Sequence, residues 1–434
     1  MWQRLSIPMS SLAPSIRRLS RLVKHLARWA EKRRNAPLIK WFDSCDSQPR
    51  AIVQVSPSLQ PNGVFVNYGD AVMWWACREH LQKRGWSVMC LPRERVHRQR
   101  LEAQAPALFI DCAGFIYSDA HHSDMRSARN ASITTRNATS CRNVGAVIVS
   151  APQTFGPFQG RPDGELNREM RRMIGLMHLI CARDEVSAEY LGPLVPEADR
   201  SKVRIAPDFA FLYKMDSHED GHRLLLRQGL APGPQGRPWV GLSLNRQLHD
   251  RIPLYLDLMR RVIEFFKAKG AHVVLIPHEH GRFGRREKDD QFLCGHLARR
   301  SEVISLHKRG RLSRQAEESY IRSIEAAIGS LDFLVAGRFH AALRGLAEGI
   351  PTVTFSWSHK FETLFRSIGM SVERNVIPAE DLVARDAGEA VTLKLEEAWG
   401  QRDETREHLA RAIPAIKKRA ADYLDEILLL AKRR

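Results

Sequence analysis

The sequence predicts an α/β protein made of two successive units, each a parallel sheet flanked by helices, with a cleft between them. Three observations predict it. Short apolar runs alternate with stretches of helical periodicity along most of the chain, the pattern of parallel β-α-β units. A Pro/Gly-rich stretch, 229–238, divides that series into two of similar size. At 434 residues the chain is long enough for about two or three domains of roughly 150 residues, each with its own core.

The first forty residues stand apart. They hold ten Lys or Arg and one acid, Glu31, and so carry half of the excess of 67 basic over 49 acidic residues. Ile16, Leu19, Val23, Leu26 and Ala30 recur at helical spacing among Arg17, Arg18, Arg21, Lys24 and Arg28, so residues 1–45 read as a basic amphipathic arm. Residues 15–34 suit an anionic membrane surface; a helix packed on the body and an organellar targeting segment are the other readings.

In the first unit, 46–228, strands are expected at 51–55, 87–91, 107–111, 146–150, 178–182 and 202–205, with a helix over 71–84. In the second, 239–390, strands are expected at 239–244, 271–276, 303–305, 332–336 and 352–355, with helices near 254–269, 313–328 and 339–348. The remainder, 391–434, reads as a helical brace interrupted at Pro414. Open parallel sheets bind ligands beyond the carboxyl ends of their strands, which places function in the cleft.

Composition narrows the chemistry. The seven cysteines form no CxxC pair, and the N-terminus lacks the apolar core of an export signal, so a reducing, cytoplasmic setting is expected, peripheral on the inner membrane face if the arm binds lipid. No metal site is expected; His121, His122 and Asp124 read as a hydrophilic loop. There is no GxxxxGK[ST] loop, no DxD pair and no nucleic-acid motif beside the basic arm, so no nucleic-acid partner is expected.

The chemistry concentrates in 331–360. An apolar strand ends at Gly337, a helix starts around Arg338 to His340, Gly349 suits its left-handed cap, and Pro351 opens the next strand. A helix N-terminus with a guanidinium beside it is an anion site, and His340 next to it is a candidate proton donor, though a capping or core histidine is the plain reading of a lone His. Arg344 and Glu348 follow on the same helical face. Arg183 stands where a strand gives way to a helix and reads either as a second cleft cation or as a partner of Asp184 or Glu185. Asn67 to Asp70 form a turn before a helix, with Asp70 a candidate N-cap.

Together Asn67-Tyr68-Gly69-Asp70, Pro152-Gln153-Thr154-Phe155-Gly156-Pro157-Phe158, Arg183-Asp184-Glu185-Val186-Ser187, Ala206-Pro207-Asp208, Ile276-Pro277-His278-Glu279, Gly337-Arg338-Phe339-His340 and Lys360 resemble the polysaccharide pyruvyltransferase family over roughly residues 60 to 370. The resemblance implies two Rossmann-like domains facing a cleft in a GT-B-like arrangement. It also implies phosphoenolpyruvate as co-substrate, no further cofactor, and a saccharide acceptor, often lipid-linked. It puts Arg338 and His340 in donor binding and catalysis and makes Arg183 a second donor-binding cation. Asn67, Asp70, Glu279 and Lys360 are further substrate-binding candidates. Two positions depart from the pattern: Val66 precedes the Asn67 motif where the family often has Gly, and Cys112-Ala113-Gly114 stands for a triple-glycine loop. A nucleotide-sugar glycosyltransferase of the same architecture and a non-catalytic relative are the alternatives.

Overall fold

The computed structural model describes residues 49–60, 63–120, 124–160, 162–215, 218–229, 236–281, 289–308, 312–384 and 386–433. The basic arm with its membrane-surface reading, the His121-His122 pair and residues 230–235 of the linker lie outside the described residues.

The first lobe is built on β1 (Arg50–Val55), β2 (Ser87–Leu91), β3 (Leu108–Cys112) and β4 (Val147–Ser150), parallel throughout and ordered β2-β1-β3-β4. A short parallel pair, β5 (Ile180–Ala182) and β6 (Val203–Ile205), extends it through a bridge between Val149 and Leu179. The second lobe carries β7 (Trp239–Ser243), β8 (His272–Ile276), β9 (Ile304–Ser305), β10 (Phe333–Ala336), β11 (Thr352–Ser356) and β12 (Val376–Pro378), again all parallel, ordered β12-β11-β10-β7-β8-β9. Apolar runs such as Val147-Ile148-Val149 and Phe333-Leu334-Val335 are buried, as strands covered by helices on both faces require.

One apolar core joins the lobes. Val53, Trp74 and Trp75 of the first lobe belong to the same buried cluster as Phe339, Leu343 and Leu364 of the second, while the outer face of each sheet has a cluster of its own. Backbone bonds close the seam. Tyr68 N–H donates to His278 O at 3.2 Å and His280 N–H to Val66 O at 2.9 Å, bringing Asn67 opposite Glu279. The loops after β1, β3, β10 and β11 therefore face one another across a single cleft, the crossing expected for open parallel sheets.

The C-terminal helices divide between the lobes. Ala387–Gly400 covers the second sheet with Val391, Leu395 and Trp399. Arg402–Lys432 returns to the first lobe, where Tyr423 Oη donates to Ser150 O at 2.8 Å and Arg204 pairs with Glu426 at 2.9 Å. The expected interruption at Pro414 does not occur: the helix runs through it. Pro414 lies on the exposed face, where water can satisfy the carbonyl that loses its donor, while Leu409, Ile413, Ile416 and Leu424 hold the other face in the core.

Candidate functional site

Ser56, Asn67, Asp70, Ala113, Phe115 and Arg183 from the first lobe face Glu279, Arg338, Phe339, His340, Trp357 and Lys360 from the second around a cleft of about 170 Å³. All seven residues singled out in the sequence line it. They come from both lobes and from segments nearly 300 positions apart, brought together because each stands at or just beyond the carboxyl end of a strand or at the start of a helix.

His340 sits in the first turn of the helix Phe339–Ala347, whose N-cap is Arg338. Its ring lies against the backbone of Gly69 in the opposite lobe: a Cβ there would fall 2.0 Å from His340 Cγ. Its Nε2 is 3.6 Å from Asp208 Oδ2. That approach is too long for a hydrogen bond; the carboxylate accepts from Arg183 Nη1 at 2.9 Å and, through Oδ1, from Ala210 N–H at 2.9 Å. Burial alone would push the Asp208 carboxyl up; His340, Arg183 and the Ala210 amide outweigh it and hold it below the usual carboxylate range. Arg183 thus pairs with Asp208, and neither Asp184 nor Glu185 is its partner. Asp184 instead caps the next helix, accepting from Ser187 N–H at 2.7 Å. The Arg183 guanidinium also lies over the Phe339 ring, 4.0 Å from its centroid.

Arg338 follows β10 and is 8% exposed. Its guanidinium, read from the sequence as part of an anion site, already has carboxylate partners in this structure. Nε and Nη2 donate to the two oxygens of Asp290 at 2.9 and 2.7 Å, and Nη1 meets Glu279 at 2.5 Å. Asp290 is fully buried and fixed by Arg246 N–H, whereas the Glu279 side chain keeps 19% of its surface. Of the two partners Glu279 is the one an incoming anion can exchange with. Farther along the same helix, Arg344 pairs with Glu348 at 2.8 Å and belongs to the core beneath the cleft.

Lys360 begins the helix Lys360–Ser367 after β11 and is 6% exposed. Its Nζ lies 3.9 Å from the Trp357 ring centroid, 4.5 Å from Phe115, 5.5 Å from Phe361 and 5.6 Å from Phe339. Burial, with Arg183 and Arg338 nearby, pushes this amine well below the ordinary lysine range despite Asp70 and Glu279.

The first-lobe rim corrects one assignment. Asn67, not Asp70, caps the helix Tyr68–Gln82, its side chain accepting from Asp70 N–H at 3.3 Å. Asp70, one turn in, is freed to face the cleft, where Ser56 Oγ donates to its carboxylate. In the Cys112-Ala113-Gly114 loop only Gly114 has a positive φ, +73°; Cys112 ends β3 and Ala113 lines the cleft. The altered glycines therefore fall where an ordinary backbone suffices.

Asp208, Asp290 and the aromatic cage of Lys360 were not singled out from the sequence. Ala206-Pro207-Asp208 was visible as a motif, with nothing in its spacing to aim the carboxylate at His340. Asp290 sits in the first turn of a helix, Asp290–Ser301, whose acidic start looks like ordinary capping. Among the described residues no group of three or more His, Cys, Asp or Glu is placed to hold a metal ion.

Solved structures of similar fold cover most of the chain. Anabaena Alr3699/HepE, solved in complex with UDP, aligns over 89% of this chain and 99% of its own with a TM-score of 0.51 at 10% identity. A putative UDP-N-acetylglucosamine 2-epimerase from Listeria monocytogenes aligns over 87% and 94% with a TM-score of 0.51 at 9% identity. At such identities the likeness is one of fold, two Rossmann-like domains in the GT-B arrangement. No curated protein matched the sequence. The profile of the polysaccharide pyruvyl transferases matches residues 67–359, from the capping Asn67 to the residue before Lys360. With two-thirds of its length inside that match, the chain belongs to the polysaccharide pyruvyl transferase family.

Proposed function

We propose that this transferase moves the enolpyruvyl group of phosphoenolpyruvate onto a saccharide as a pyruvate ketal, in the biosynthesis of an exopolysaccharide or cell-surface glycan. The observation that carries the reading is the meeting of His340 with Asp208 and Gly69 across the cleft. A histidine held between two lobes, backed by a carboxylate and flanked by two buried guanidiniums and the buried amine of Lys360, suits proton delivery to an anionic enol ester.

In this reading His340 protonates the methylene carbon, and Asp208 meets the positive charge of the proton-carrying ring. A sugar hydroxyl adds to the adjacent carbon, the C–O bond to phosphate breaks, and a second hydroxyl closes the ketal; of the two protons the hydroxyls release, one leaves with the phosphate and the other restores His340. Arg183, Arg338 and Lys360 hold the carboxylate and phosphate. Asn67, Asp70 and Glu279 orient the acceptor, with Asp70 fixed by Ser56. Positioning by the closed lobes supplies much of the acceleration.

The experiment is incubation of the purified protein with phosphoenolpyruvate and a panel of free and lipid-linked saccharides, following phosphate release and the acceptor's mass. Product with the added mass of a pyruvate ketal, lost in His340→Ala, supports the reading; equal transfer by His340→Ala overturns the role of that residue. The UDP complex of Alr3699/HepE motivates the second reading, a nucleotide-sugar transferase. Thermal stabilisation by a nucleoside diphosphate and not by phosphoenolpyruvate would favour it, and inactivity with every acceptor would favour a non-catalytic relative. No described helix is long and apolar enough to cross a membrane. Peripheral attachment through residues 15–34 is part of the proposal, tested by co-sedimentation with anionic vesicles.

A further inference from the structure

The cations of this cleft are unequal. Arg183 is neutralised by Asp208 and Arg338 by Asp290 and Glu279. Lys360, as deeply buried, has neither a hydrogen bond nor an ion pair among the described residues, only aromatic faces. Arg183 and Arg338 thus face Asp208, Glu279 and Asp290, two guanidiniums against three carboxylates. With an uncharged amine at Lys360 this set carries one net negative charge and would repel an anion. A protonated amine brings it to neutrality.

We propose that Lys360 joins the two guanidiniums as an anion ligand of the cleft and is uncharged until an anion arrives, so that the donor binds together with a proton taken from solvent. The aromatic cage serves both states. Trp357 and Phe115 pack against a neutral amine as apolar walls and against an ammonium through their π faces. The charged groups around it set the balance: Arg183 and Asp70 from the first lobe, Arg338 and Glu279 from the second, with His359 adjacent in sequence. The bound anion tips that balance toward the ammonium. This deepens the proposed function, since phosphoenolpyruvate is the anion meant, but it can be tested without that donor.

The test is titration calorimetry of the full chain at pH 8 in buffers of different ionisation enthalpy, with sulfate, which does not titrate there, and with phosphoenolpyruvate. Wild type should take up about one proton per anion bound, and its Kd should weaken about tenfold per pH unit through the range in which the amine must be charged. Lys360→Met, which fits an apolar cage, should bind more weakly with no uptake; His340→Asn should keep the uptake. Uptake unchanged in Lys360→Met, or wild-type binding of both anions without a proton, would overturn the inference while leaving the donor reading intact. Sulfate binding with a Lys360-dependent proton, but no phosphoenolpyruvate binding, would uphold the inference and overturn the donor. Failure of wild type to bind either anion would overturn both.

Discussion

The imidazole of His340 occupies the space that a side chain on Gly69 would fill, with Cγ 2.0 Å from the position of that missing Cβ. Gly69 lies in the helix Tyr68–Gln82 with no positive φ, so its backbone does not demand glycine. The demand comes from the other lobe. Gly69→Ala should gain up to about 1 kcal/mol of helix propensity and still displace His340. We expect a loss of roughly a hundredfold in kcat and a lower Tm, because His340 Cβ itself would stand 2.3 Å from the new methyl and cannot swing clear, measured by phosphate release and calorimetry. A variant as active as wild type would mean that the closed seam is not the reactive state.

Asp208 serves Arg183 and His340 at once, so Asp208→Asn should show in two ways. Arg183, whose side chain is 4% exposed, loses its counter-charge. Removing one partner of such a pair costs about 3 kcal/mol or more, which urea denaturation would register. Turnover should fall further than a stability loss explains, because His340 also loses the carboxylate behind it.

The two partners of Arg338 should separate by experiment. Asp290→Asn weakens the buried two-oxygen grip and should lower Tm by several degrees. Glu279→Gln releases Nη1 on the open side and removes a negative charge from the cleft, so phosphoenolpyruvate should bind more tightly, with a lower Kd by calorimetry. Equal effects on Tm and Kd in the two variants would contradict the division of labour.

His280 lies on the seam, its amide bonded to Val66, and burial beside Lys308 pushes its imidazole down to about 3. Glu317, 3.5 Å away, does not rescue it because Lys308 already holds that carboxylate. The unfolded chain protonates this residue near pH 6.5, so the folded state's advantage is complete above that value and is lost as pH falls from there toward 3. Tm should drop through this window, by an amount equivalent to up to a few kcal/mol, and His280→Phe should flatten the drop. The flattening should be partial, because burial also lowers His80 and His359.

Much of the fold was readable because the strands are short, wholly apolar and separated by helices. The run 87–91 became β2 without a change of boundary, and Gly349, at φ +75°, terminates its helix as expected. β12 escaped notice: Val376-Ile377-Pro378 is only three residues long and contains a proline. Periodicity brought Arg338 and His340 to one helix start, and the motifs ordered the other candidates along the chain. It could not say which carboxylates would neutralise which cations. Asp290 reaches Arg338 from 48 positions away and Asp208 reaches His340 from the opposite lobe, relations that exist only once both sheets are packed. The uneven charging of the three cations is therefore a tertiary property.

The long terminal helix has a mechanical consequence. Although Arg402–Lys432 follows the second lobe in sequence, Tyr423, Asp425 and Glu426 clasp the first lobe at Ser150, Arg84 and Arg204. The lobes are thus spanned at two places, and they should swivel about a line through both tethers and not gape like a hinged lid. The helix His218–Arg227 already packs on Arg314–Ile328 of the second lobe, so a protease nick between 229 and 238 would leave both crossings intact and the halves should co-elute on a sizing column.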